Sequence, residues 1–374
     1  MINKERVIGE FMELVQIDSE TGNEQEISKA LKSKFGALGL QLEEDDAAAK
    51  TGHGAGNLFA MLEGTSAGAP TIFFTSHMDT VKPGAGIKPM LGDDGYIRSD
   101  GTTILGADDK AGLAAMLEAI RVLKEDGIPH GPVQFVITVG EESGLVGSRA
   151  LDRTKLKASF GYAIDSNGEI GAIATAAPSQ AKLTIEIFGK SAHAGVNPQD
   201  GISAIQVAGA AIAAMPLGRI DEETTANIGS IEGGGATNVV CDYVKMVAEA
   251  RSLVQPKLDA QVEAMREAVR KAAEQYGARS EVDVKLIYPS YGYDDADEVV
   301  QFAKKAIASV GLTPRTFRSG GGSDANIFNG LGVPTVNLAV GYENIHTTNE
   351  KIKADDIVKL SELIVAIVKQ AATA

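Results

Sequence analysis

The segment Thr71-Ile72-Phe73-Phe74-Thr75-Ser76-His77-Met78-Asp79-Thr80 decides the fold of this 374-residue chain. Its first five residues carry no charge, as a strand covered on both faces requires. A short turn follows, holding an imidazole and a carboxylate. Residues 133–139 and 160–164 repeat the pattern, ending at Gly140-Glu141-Glu142 and at Asp165. Residues 58–62 read as a further strand. Between and before these runs, residues 4–15, 24–38 and 110–126 show apolar spacing of helical period. Strands interleaved with helices predict an α/β sandwich.

Outward from this block the texture changes at about residue 179. Residues 180–188 alternate Lys182, Thr184 and Glu186 with Leu183, Ile185 and Ile187, the pattern of a strand with one wet face. A helix over 201–215, strands over 226–231 and 244–253, a long helix over 257–276 and a strand over 281–288 follow. They predict an inserted α+β domain, a four-stranded antiparallel sheet carrying two helices. The α/β texture then returns with a helix over 298–310, a strand over 335–339 and a helix over 353–372. The expected organisation is a discontinuous catalytic domain, 1–178 and 289–374, interrupted by a domain at 179–288.

Bulk properties narrow the setting. The formal charge is -15 and the pI about 4.9, which disfavours nucleic acid and anionic membrane surfaces as partners. The single Cys241 excludes an intrachain disulfide, and no run of 18 apolar residues is present. A cytoplasmic protein is expected.

The chemistry gathers where strands end. His77, Asp108, Glu142, Asp165 and His346 are candidate metal ligands, each in or beside a short turn at the carboxyl end of a predicted strand or the start of a helix. Ligands of open α/β sheets bind in that crevice. Imidazole with carboxylate suits zinc, and also cobalt or manganese. Two His and three carboxylates exceed what one tetrahedral ion with an open position takes, and match two ions sharing a carboxylate. Asp79, two residues after His77, can accept the imidazole N–H that a metal leaves free. Glu141, beside Glu142, is free to act as general base on a metal-bound water. His53 and His130 read as surface residues, and Cys241 as a packed strand residue.

These motifs resemble those of the co-catalytic zinc peptidase and deacylase family that includes peptidase T, carboxypeptidase G and aminoacylase. The likeness runs from Ser76-His77-Met78-Asp79-Thr80 to His346, and Gly106-Ala107-Asp108-Asp109-Lys110-Ala111-Gly112 is similar to the peptidase T branch. The resemblance implies one zinc on His77 and Asp165, a second on Glu142 and His346, and Asp108 between them. It implies a cis peptide at Asp108–Asp109, Asp79 supporting His77, and Glu141 as the base. Ser191-Ala192-His193-Ala194-Gly195 is similar to a segment whose His serves the partner subunit's active site. Asn238 and Arg251 match positions that hold the substrate carbonyl and carboxylate, and Gly320-Gly321-Gly322-Ser323-Asp324 a substrate loop.

The expected function is therefore a two-zinc, homodimeric peptidase for short peptides, nearest to an aminotripeptidase. Two features depart from peptidase T: the chain is short, and Ser-Ala-His-Ala-Gly is closer to the carboxypeptidase and amidohydrolase branches. An N-acyl amino-acid deacylase or a carboxypeptidase stays open as an alternative. So does a catalytically silent binding protein, against which the intact Glu141 and ligand set argue.

Overall fold

The computed structural model describes residues 1–373. They divide into two compact units, one of Met1–Ala176, Tyr293–Ser319 and residues from 323 onward, the other of Ala177–Gly292 with Gly320–Gly322.

Four parallel strands form the heart of the first unit, in the order Val133–Thr138, Ile72–His77, Phe160–Ser166, Thr335–Ala339. Antiparallel neighbours extend the sheet, with Leu58–Leu62 and then Gln41–Glu44 on one side. On the other side Ala172–Ala177 runs antiparallel to Thr335–Ala339, and Arg315–Arg318 pairs with it. Every residue of Ile72–His77 and Val133–Thr138 is buried, as the uncharged runs require. Successive side chains serve opposite cores because Cβ direction alternates along a strand. Phe74 packs with Phe135 and Tyr162 in the larger core, beneath the helices Lys4–Val15, Ala107–Glu125 and Ala354–Ala371. Phe73 joins Phe59, Val136 and Phe328 in the smaller one, its ring 4.7 Å from that of Phe328.

The strand register aligns the candidate ligands. Thr138 lies beside His77, and Thr75 beside Ala163. Carried two residues further, that second pairing sets Asp165 beside His77. A small sheet of Met90–Leu91, Tyr96–Arg98 and Lys351–Lys353 completes the unit.

The second unit is an antiparallel sheet in the order Gly218–Arg219, Thr224–Gly233, Tyr243–Ser252, Ser179–Phe188, Arg279–Tyr288. It has five strands where the sequence predicts four. The extra one, Gly218–Arg219, is two residues long and too short to show alternation. The apolar side of Ser179–Phe188 (Leu183, Ile185, Ile187) faces helices Ala204–Ala214 and Gln255–Tyr276 through Val207, Leu258, Met265 and Val269.

Candidate metal and catalytic centre

His77 closes its strand, Asp165 lies in Phe160–Ser166, and Glu141 and Glu142 follow Val133–Thr138, so three parallel strands deliver four side chains to one edge. Asp108 arrives differently. It lies in the first turn of Ala107–Glu125, where Asp108 and Asp109 leave helical geometry and the peptide bond between them is cis. His346 comes from the loop after Thr335–Ala339 and takes a left-handed φ of 63°.

Asp108 faces two ways. Its Oδ1 is 3.1 Å from His77 Nε2, and its Oδ2 is 3.2 Å from His346 Nε2. Asp165 Oδ1 stands 3.7 Å from the first imidazole, and Glu142 Oε1 3.0 Å from the second. In each of the sets His77–Asp108–Asp165 and Asp108–Glu142–His346, the candidate ligand atoms lie within 4.8 Å of one another. These two sets share the Asp108 carboxylate, and a third groups His77 with Glu141 and Glu142.

The donor chemistry fits a pair of divalent cations. His77 Nδ1 lies 2.9 Å from the backbone carbonyl of Asp79. A carbonyl oxygen only accepts, so Nδ1 carries the proton and the Nε2 lone pair faces the carboxylates. Lone pairs on both imidazoles and on three carboxylates then converge, which only protons or metal ions can hold together. Without a metal, protons do so. Burial opposes charge on His77, but Asp108, Asp165 and Asp79 raise its pKa well above the usual value. His346 is pushed up to about 10 by its bonds to Asp108 and then Glu142. Burial raises Asp165 to about 7 despite its bond to His77.

Asp79 differs in detail from the sequence expectation. Its carboxylate is 3.4 Å from His77 Nδ1, further than its own carbonyl. That carboxylate instead accepts the backbone N–H groups of Glu141 (3.0 Å) and Glu142 (3.2 Å). Fully buried, it ties the His77 strand to the Glu141–Glu142 turn. Burial, and then the charge of Asp165, raises the pKa of Glu141 well above the ordinary carboxylate value.

The remaining candidates lie in the second unit. His193 is exposed, and its Nδ1 accepts backbone N–H groups from Gly195 and Val196, both at 3.1 Å. Nε2 therefore carries the proton and is an outward donor. Asn238 is exposed, and its backbone carbonyl accepts the N–H of Ala194 at 2.9 Å. Arg251 forms a two-pronged pair with Glu249, at 2.9 and 3.2 Å. Gly320–Gly322 also belongs to this unit, whereas Ser323 and Asp324 cap and begin the helix Asp324–Gly330 of the first. Gly322 is held against Tyr288, where a Cβ would meet the ring at 2.3 Å.

Three sequence assignments change. His130 is buried, its Nδ1 2.7 Å from the carbonyl of Gly131. His53 is half-buried, with Nε2 3.0 Å from Ser143 Oγ in the turn that carries Glu141 and Glu142. Cys241 is half-buried and precedes the strand Tyr243–Ser252, its thiol reaching the carbonyl of Tyr243. The sequence reading also passed over Tyr342, whose hydroxyl donates to Asp165 at 3.2 Å, and Glu350, whose carboxylate lies under the Asp108 turn. A second carboxylate four residues beyond His346 was the available signal for Glu350.

Comparison with known proteins gives the family. The sequence pattern of Peptidase family M20/M25/M40 matches residues 73–370. The uncharacterized protein YqjE of Bacillus subtilis is 59% identical over 372 residues, covering 100% of each chain. Peptidase T of Geobacillus kaustophilus is 28% identical, covering 98% of each. The crystal structure of aminopeptidase PepT from Bacillus cereus superposes with a TM-score of 0.93 at 60% identity, covering 99% of each chain. That of a tripeptidase from Staphylococcus aureus does so at 0.96 and 49% identity, covering 100% of each. With the family pattern spanning most of its length, the chain belongs to Peptidase family M20/M25/M40 and is a hydrolase of peptide bonds.

Proposed function

We propose that this chain is a two-metal aminopeptidase for short peptides, an aminotripeptidase in specificity. The observation that carries the reading is the divided Asp108 carboxylate, 3.1 Å from one imidazole and 3.2 Å from the other. The names of its end-to-end relatives, aminopeptidase PepT and tripeptidase, support the substrate class.

His77 and Asp165 would hold one ion, Glu142 and His346 the other, and Asp108 both. Zinc suits this donor set best, with cobalt and manganese as substitutes. When bound, such a pair polarises a carbonyl and lowers the pKa of water. The chain's own residues do the rest. Glu141 takes the proton of the attacking water on its carboxylate, holds it, and delivers it to the leaving amine. Asp79 keeps Glu141 oriented through the main chain.

The second unit supplies recognition. His193 presents an Nε2–H donor to the developing oxyanion, acting on the partner subunit's site in a homodimer built on the inserted sheet, which ends on the strand Arg279–Tyr288 among the described residues. Asn238 holds the substrate carbonyl. Arg251 takes the free carboxylate of the peptide, exchanging it for Glu249. No helix among the described residues is long and apolar enough to cross a membrane.

A substrate panel tests the reading: free tripeptides, N-acetylated amino acids and blocked dipeptides, with zinc, cobalt or manganese supplied in turn. The expected result is release of the N-terminal residue from tripeptides by a protein that sediments as a dimer. Hydrolysis of the acetylated amino acids alone would transfer the chain to the deacylases. A monomer at micromolar concentration would remove the His193 assignment.

A further inference from the structure

We infer that Glu350 is the positioning residue for the shared carboxylate, locking the turn that presents Asp108 to the loop that presents His346. This inference rests on the two-metal reading above. Glu350 is 1% exposed. Its Oε2 accepts the backbone N–H groups of Leu105 and Gly106, each at 2.8 Å, and its Oε1 that of Asp108 at 3.1 Å. One carboxylate thus receives three main-chain donors from a segment more than 240 residues away in sequence. The three bonds favour the carboxylate form against burial, which raises the pKa of Glu350 to about 7, and burial also removes the water that would replace them.

The other end of the link is the His346 loop. Glu343 and Lys351 exchange backbone hydrogen bonds at 2.8 and 3.0 Å, which closes residues 343–351 into a loop. The N–H of Glu350 donates to the carbonyl of Thr347 at 3.1 Å, inside that loop. Asn344 and His346 both hold positive φ, 57° and 63°, a conformation that side-chain-bearing residues keep only where their surroundings impose it. The Glu343–Lys351 bonds close the loop that holds both residues. Without Glu350, the Leu105, Gly106 and Asp108 donors lose their partner and the turn must move to find water.

The two halves of the centre would not suffer equally. The Glu142–His346 half takes two ligands, Asp108 and His346, from segments that Glu350 joins. The other half takes only Asp108 from them, since His77 and Asp165 sit on sheet strands. Groups that orient metal ligands typically change metal affinity by about 10- to 100-fold when removed.

The test is a zinc titration of metal-free protein against a chromophoric chelator, with cobalt absorption as a second readout. Wild type, Glu350→Ala, Glu350→Gln and His346→Ala are compared, each with its far-UV circular dichroism. The expected result is two tight zinc ions for wild type. Glu350→Ala should keep one tight ion and bind the other about 10- to 100-fold more weakly, with the cobalt spectrum of His346→Ala. Glu350→Gln keeps one acceptor oxygen and should fall between; it carries the test if Glu350→Ala does not fold. Wild-type affinity for both ions in the variants overturns the role of Glu350 and leaves the two-metal reading standing. Equal weakening of both ions also overturns it, because general loosening of the fold then suffices. Fewer than two ions in the wild type overturns both.

Discussion

Glu141 and Glu142 are neighbours in sequence with separate assignments, and the difference lies in what each carboxylate faces. Glu142 Oε1 lies 3.0 Å from His346 Nε2, within a set that includes Asp108. Glu141 lies outside the His346 set; it groups with His77 and Glu142 instead, and its raised pKa comes from burial and the charge of Asp165. Glu141→Ala is therefore expected to lower turnover by about 10²- to 10⁴-fold with metal content unchanged. Glu142→Ala should lose an ion. Metal analysis beside steady-state kinetics checks both, and equal metal loss in the two variants would erase the distinction. At this scale the sequence is legible where a side chain speaks for itself. His77, Asp108 and Asp165 stand at strand or helix ends, and the resemblance orders them. Glu350 is marked in the sequence only by its place four residues beyond His346, because its partners are main-chain N–H groups of a distant segment and no residue type marks those. The Asp79 contact shows the same limit: its carboxylate serves the backbone of Glu141 and Glu142 before the imidazole.

Among the elements, the strand Ile72–His77 sets the site by register, and its packing is tight. A Cβ on Gly161 would lie 2.0 Å from the ring of Phe73 on the paired strand. Gly161→Ala must displace that ring from Phe328 or spread the strands carrying His77 and Asp165. Overpacking of this kind costs about 1–3 kcal/mol, so the melting temperature should fall, and turnover with it. An unchanged melting temperature would mean that the Phe73 pocket has room to spare. Ile72–His77, Val133–Thr138 and Phe160–Ser166 were readable because uncharged runs of that length have few other uses. Ala172–Ala177 was missed: four of its six residues are alanine, a poor strand former, and sheet pairing overrides the preference. The start of Ala107–Glu125 was placed at Lys110 because the non-helical Asp108 and Asp109 leave no periodic trace.

For the whole molecule, a net charge of -15 sets a problem that the centre must solve. Carboxylates of Asp108, Glu142 and Asp165 converge in one region, and burial raises the pKa of Glu141, Asp109 and Asp324 beside them. Lys110 is the buried cation among them, pulled down to about 8 by burial, with Nζ 2.7 Å from Ser19 Oγ. Two divalent cations would supply positive charge that one lysine and two imidazoles do not. The alternation of strand and helix, the insertion and the ligand-bearing turns made the architecture readable from sequence. The fifth strand of the second unit was not, being two residues long. The central claim is that two metal ions share Asp108, and anomalous X-ray scattering at the zinc edge from crystals of reconstituted protein tests it most directly. Two peaks about 3.5–4 Å apart with Asp108 between them are the expected result. A single peak, or two peaks of which only one touches Asp108, would contradict it.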